Sequence, residues 1–206
     1  MLILYYTPGT IALASLITLC ETGLEFEPRR VNFLENEQRG ADYLALNPKG
    51  RVPALITEQG ILTETPAILT YLAAVAPDAN LTIKGDAFRE AQLNSFLSWL
   101  CSTVHVNHAM GRRAARWTDD PAAHASMKAK VPETMAACCA LLESDYLQGP
   151  WVMGEQYTIA DPYLNTICTW LEGDGVDIAD YPKLSAHFVA MKARPAVQKA
   201  LAIVRG

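Results

Sequence analysis

The chain has 206 residues, half of them hydrophobic, which suffices for one large or two small domains with a sizeable core. Lys and Arg number 17 against 22 Asp and Glu, a formal charge of −5 without any basic block, which argues against nucleic acid or an anionic membrane as the main partner. Its five cysteines form neither a Cys-x-x-Cys pair nor a zinc spacing, so reduced thiols and no metal centre are expected.

Leu2 to Tyr6 is a short apolar run that reads as a buried strand, and Ile11 to Glu21 reads as a helix stopped at Gly23. The first twenty residues carry no charge, but Thr7-Pro8-Gly9-Thr10 splits them into strand and helix. Neither a secretory leader nor a membrane span is therefore expected, and the cytoplasm is the expected compartment. Phe26 to Phe33 predicts a second strand, Glu35 to Leu46 a loop with a short helix, and Ala54 to Glu58 with Ile61 to Thr63 a hairpin around Gln59-Gly60. A helix from Thr65 to Ala74 completes a βαβ then ββα order within residues 1–76. Residues 77–85 read as a linker and 86–206 as all helical. There, Asp86 to Trp117 is one long helical pattern and Asp119-Asp120-Pro121 opens the next, which Pro132 should kink or split. Cys138 and Cys139 fall in this run as packing residues. Thr158 and Asp161 have the capping-box spacing, with the Thr hydroxyl accepting from the N–H three residues on. Tyr181-Pro182 and Arg194-Pro195 start two further helices.

Two features point to a ligand. In Asn47-Pro48-Lys49-Gly50-Arg51-Val52-Pro53-Ala54-Leu55, the Val52-Pro53 bond lies between a polar turn and an apolar run and is a candidate cis peptide. It would leave the main-chain groups of Val52 facing outward, where an extended peptide can pair as an added strand. Eleven residues beyond Pro53, Glu64-Thr65 opens a helix whose free N–H groups and positive dipole end suit a carboxylate.

Five segments stand in a telling order: Leu4-Tyr5-Tyr6-Thr7-Pro8-Gly9-Thr10, Glu21-Thr22-Gly23-Leu24, the Val52-Pro53 segment, Tyr157-Thr158-Ile159-Ala160-Asp161 and Arg194-Pro195-Ala196-Val197. Together they resemble the glutathione transferase family over essentially the whole chain, and its bacterial beta class most of all. The resemblance implies an α/β thioredoxin-like N-terminal domain plus an all-α C-terminal domain, glutathione as co-substrate, a small apolar electrophile as its partner, and a homodimer engaged in detoxification. It also implies that Val52 and Pro53 align the cysteinyl unit, that Glu64 holds the γ-glutamyl amine, and that Thr65 holds its carboxylate.

A free cysteinyl thiol has a pKa near about 8.5, so only a few per cent is thiolate at pH 7, and a transferase must lower that value. A hydroxyl aimed at the sulfur from a helix N-terminus does so. Tyr5, Tyr6 and Thr10 are available. In family members that use a serine, that serine follows a Pro-Gly turn, the place of Thr10. Thr10 is thus the first candidate, with a helix cap as its other possible role. Tyr6 is the second; neighbours on a strand face opposite sides, so only one of Tyr5 and Tyr6 can face the site.

The chain departs from the beta class at two places. Ile11-Ala12 stands where that class has Cys-Ser, which removes mixed-disulfide chemistry there. Asn36 stands where a lysine meets the glycine carboxylate, and Arg51 or Lys49 could replace that charge. His105 matches a beta-class histidine facing glutathione and can orient water or assist proton transfer, while Ser98, seven residues earlier, matches a polar residue on the same face. His108, Met110, Arg112, Arg113, Arg116 and Trp117 make the end of this helix basic and aromatic. They suit either the helix dipole or a substrate carrying a carboxylate on an apolar ring. The expected activity is conjugation of the thiolate to a small apolar electrophile. Non-catalytic glutathione or ligand binding, isomerisation, reductive dehalogenation and ether cleavage are the alternatives.

Overall fold

A computed structural model of the chain describes residues 1–206. Its N-terminal part is a four-stranded mixed sheet in the order β2-β1-β3-β4. Strand β1 (Leu2–Tyr6) runs parallel to β2 (Phe26–Arg30) and antiparallel to β3 (Ala54–Thr57), which forms a hairpin with β4 (Gly60–Thr63). Helix α1 (Ala12–Thr22) crosses between the two parallel strands and stops at Gly23, whose φ of 69° is the left-handed value a glycine supplies without strain. Helices α2 (Ala41–Leu46) and α3 (Thr65–Val75) complete this thioredoxin-like unit. Strand β2 ends at Arg30 and not at Phe33, because the Asn32 side chain accepts from the Leu34 N–H and turns the chain into a short 3-10 segment.

The remainder is helical: α4 (Ala87–Trp99), α5 (His105–Arg112), α6 (Pro121–Leu141), α7 (Ala160–Cys168), α8 (Pro182–Ala193) and α9 (Pro195–Arg205). The long pattern expected from Asp86 is broken by a wide turn, Leu100–Val104, in which the His105 N–H reaches back to the Leu100 carbonyl. Pro132 does not split α6, which runs through it as one helix with Val131 and Met135 buried on either side. Asp161 is fully buried and accepts from the N–H groups of Thr158 at 2.7 Å and Val152 at 2.9 Å, and from His187 Nε2 at 3.0 Å. Half of the expected capping box is altered: the Thr158 hydroxyl accepts from Ala160 N at 3.4 Å, while the Asp161 N–H goes to the Thr158 carbonyl at 3.1 Å.

Two apolar clusters tie the sheet to the helices. Ile11, Ala14, Leu69 and Ala73 join the large helical core, and Leu4, Leu16, Leu55 and Leu72 pack with Met191, Val197 and Ala200 from α8 and α9. The last helix therefore covers the first. No helix is long and apolar enough to cross a membrane.

Candidate functional site

A cavity of about 1180 Å³ opens between the ends of the strands and the helices α5 and α7. That exceeds the range of roughly 300–1,000 Å³ usual for a single small ligand. One wall comes from the turn at Thr7 to Ile11, the loop before β3 and the start of α3; the other carries His105, His108, Arg112, Tyr163 and Trp170.

On the first wall, Thr7 Oγ1 ties the turn to the Val31 carbonyl at 2.8 Å, and Gly9 takes a φ of 73° that brings Thr10 to the head of α1. The Thr10 hydroxyl donates to the Thr7 carbonyl at 2.7 Å and accepts from Ala12 N at 3.4 Å. The main-chain N–H groups of Thr10 and Ile11 donate to nothing in the chain. Together these three donors form an anion-facing turn on the cavity wall.

Val52-Pro53 is cis, and neither main-chain group of Val52 has a partner within the chain. The loop is fixed from behind. Tyr43 Oη at 2.8 Å and Asn47 Nδ2 at 2.7 Å both donate to the carbonyl of Arg51. Beside it, Glu64 adopts a φ of 72°, a left-handed value disfavoured for a side chain of this kind, and Thr65 begins α3. The Thr65 hydroxyl has no partner and opens to the cavity. Lys49 binds both Glu64 Oε1 and Thr63 Oγ1, the latter at 2.7 Å, so its charge is already engaged. Arg51, in contrast, has no ion-pair partner on the cavity wall.

On the second wall, burial pushes the His105 imidazole down to about 4, with His108, Arg116 and Arg51 adding to the effect. Neither of its ring nitrogens has a hydrogen-bond partner, and Trp170 packs 5.1 Å away. His108 is held differently. Its Nδ1 lies 2.7 Å and 2.9 Å from the two carboxylate oxygens of Asp174, its ring stacks on Trp170 with centroids 4.1 Å apart, and Nε2 remains open to the cavity. A carboxylate only accepts, so the proton of the neutral ring sits on Nδ1 and Nε2 presents a lone pair.

Thr10, Arg51, Val52, Pro53, Glu64, Thr65 and His105 thus share one cavity, and three expected residues do not. Tyr6 is 6% exposed and donates to the carbonyl of Ile203 at 3.2 Å, because its side of β1 faces α1 and α9. Tyr5, on the opposite side, meets Tyr43 and accepts from Arg29, so neither tyrosine reaches the cavity. Asn36 sits between two 3-10 turns with a φ of 55°, while Asn32, Phe33 and Leu34 supply the wall from that loop. Ser98 is exposed and donates to the Asn94 carbonyl at 2.8 Å. The wide turn Leu100–Val104 rotates everything after it, so a seven-residue spacing no longer places Ser98 and His105 on one face.

Reading residues in sequence missed the clamp on the Arg51 carbonyl and the His108–Asp174 pair. The first had a signal in the polar Asn47 before Pro48. The second, 66 residues apart, had none.

A thioredoxin-like sheet joined to a helical bundle, with a polar cleft where a cis-proline loop meets the helices, defines a narrow class of proteins. Residues 1–74 match the family "Glutathione S-transferase, N-terminal domain" and residues 106–202 match "Glutathione S-transferase, C-terminal domain". The glutathione S-transferase GstA of Escherichia coli O157:H7 is 32% identical over 201 residues, covering 96% of each chain. A glutathione transferase homologue from Sulfitobacter, solved with bound glutathione, superposes with a TM-score of 0.96 at 50% identity and 98% coverage of both chains. A bacterial beta class enzyme of Sphingomonas chungbukensis gives a TM-score of 0.86 at 31% identity, again with 98% of each chain covered. The chain belongs to the glutathione S-transferase family.

Proposed function

We propose that this protein binds glutathione along the first wall of the cavity, activates its thiol at Thr10, and transfers the thiolate to an electrophile held on the second wall. The observation that carries this reading is the convergence of the Thr10 hydroxyl, the unpaired main chain of Val52 and the head of α3 on one cleft. The Sulfitobacter homologue with bound glutathione supports it. Val52 pairs with the cysteinyl unit, Thr65 and the first turn of α3 receive the γ-glutamyl carboxylate, Glu64 meets the amine, and Arg51 meets the glycine carboxylate.

Thr10 reaches the sulfur by giving up its bond to the Thr7 carbonyl. That exchange is favourable, because a neutral hydrogen bond contributes about 1 kcal/mol net and one to an anion about twice as much. The thiol proton leaves to water, the sulfur lone pair forms a C–S bond, and a leaving group departs with its electron pair or a conjugated acceptor takes up a proton. His105, with its pKa near 4, is neutral at pH 7 and too weak a base to keep the thiol proton, so it orients and does not titrate. His108, backed by Asp174, offers its free Nε2 lone pair to a proton from water and can then pass that proton to the acceptor.

The outer faces of α3 and α4, where Val75 is 43% and Phe88 74% exposed, form the contact of a homodimer in this reading, and sedimentation of the purified protein checks it. For the site itself, the test is titration with glutathione at neutral pH, following thiolate absorbance in the ultraviolet. A saturable signal is expected. Calorimetric binding without it would leave a glutathione-binding protein that does not activate the thiol, and absence of binding would remove the reading altogether.

A further inference from the structure

Five arginines, Arg30, Arg51, Arg112, Arg113 and Arg116, line the cavity against two glutamates, Glu64 and Glu172, in a chain whose formal charge is −5. The side chains of these five arginines make no ion pair and no hydrogen bond. Glu64 is already held by Lys49. Glutathione brings two carboxylates, and the head of α3 with Arg51 accounts for both. Arg30, Arg112, Arg113 and Arg116 are left over, the last three close together in the chain on the wall assigned to the second substrate.

The dipole of α5 explains only part of this cluster. Arg112 lies in the last turn, but Arg116 lies in a following 3-10 turn, and Arg51 approaches from the loop before β3 on the opposite wall. Burial together with Arg51, Arg113 and Arg39 pushes the Arg116 guanidinium below its usual range, as expected where like charges are gathered without an anion between them. The cluster also has an apolar floor. Arg113 stands 6.0 Å over the Phe33 ring, and Trp117 lines the same rim.

The Arg112 guanidinium rests across the turn before Asp174, its Nη2 2.6 Å from where a β-carbon at Gly173 would lie. From this arrangement we infer that the second substrate is an anion, a carboxylate borne on an aromatic or conjugated carbon frame, bound by Arg112, Arg113 and Arg116 over Phe33 and Trp117. The inference rests on the glutathione reading above and chooses, between the helix dipole and a carboxylate-bearing substrate, the second of the two roles the sequence left open for these arginines. A guanidinium fork matches a carboxylate in two parallel hydrogen bonds, which selects for the charged group as well as holding it.

The test uses two product analogues, S-(4-carboxybenzyl)glutathione and S-benzylglutathione, titrated by calorimetry into the intact protein. The carboxylated analogue is expected to bind about tenfold tighter or more, with an advantage that shrinks as salt is raised. In a double variant, Arg112→Gln with Arg116→Gln, that advantage is lost while S-benzylglutathione binds as before. Equal binding of the two analogues by the unaltered protein, or equal weakening of both in the double variant, would overturn the anion site and leave the glutathione reading standing. Failure of both analogues to bind would overturn both.

Discussion

His108 and Asp174 form a buried pair at the back of the cavity, Nδ1 lying 2.7 Å from Oδ2 with the side chains 12% and 2% exposed. Asp174 has no other side-chain or main-chain donor to its carboxylate, so it fixes the tautomer of His108 and leaves Nε2 to the ligand. His108→Gln should therefore slow addition to conjugated acceptors, whose carbon must be protonated, by about 100-fold. Displacement of chloride from an aryl chloride needs no such proton and should change little. Steady-state rates with one acceptor of each kind decide it, and equal losses on both would assign His108 to packing.

Thr10→Ala should lower turnover by about 10- to 100-fold and leave glutathione affinity within a few-fold, since the hydroxyl acts on the charge of the sulfur. Thr10→Ser should keep most of the activity. The discriminating quantity is the thiol pKa in the complex, read from thiolate absorbance against pH, which should rise in the alanine variant only.

Glu64 carries both a left-handed backbone and an ion pair to Lys49. Glu64→Gln should weaken glutathione binding about tenfold through loss of the charged bond to its amine. Lys49→Met frees Glu64 and should have a smaller effect, because that pair is exposed on both sides. Calorimetry on the two variants tests the order; a larger loss for the lysine variant would contradict it.

Asp161→Ala removes the acceptor for three buried donors and should cost about 3–5 kcal/mol of stability. Asp161→Asn keeps an acceptor and should cost less. Denaturant unfolding at a fixed protein concentration gives both values.

His105 makes stability depend on pH. Its pKa falls from 6.5 to about 4 on folding, so between these values the unfolded chain binds a proton that the folded one does not. Stability is therefore full above pH 6.5, declines as the pH drops toward 4, and levels off below. The contribution is about 2 kcal/mol after allowance for partial exposure. His105→Asn should flatten this limb in thermal unfolding measured across that window.

The strands and most helices were legible because each carries local punctuation. Gly23 ends α1, Pro121, Pro182 and Pro195 open helices, and Gln59-Gly60 turns the hairpin. The wide turn at Leu100–Val104 was not, since it carries no Gly or Pro and its sequence, Leu-Cys-Ser-Thr-Val, continues the helical pattern on both sides. Within the site, residues close in sequence to a turn or helix head, Thr10, Val52 and Thr65, could be placed. Tyr6 could not: strand alternation separates it from Tyr5, but the partner that claims its hydroxyl is Ile203, 197 residues away. The pairing of His108 with Asp174 depends likewise on how α5 and the turn after α7 meet.

The bond from Tyr6 to Ile203 also sets an order of events in the life of the chain. Strand β1 leaves the ribosome well before α9, yet Leu4 and Leu16 share one cluster with Val197 and Ala200. The sheet unit of this protein cannot finish folding until α9 has emerged, whereas N-terminal units commonly fold as soon as their own residues are out. A chain halted before Pro195 would carry an uncovered apolar face, open to chaperones and to other unfinished chains.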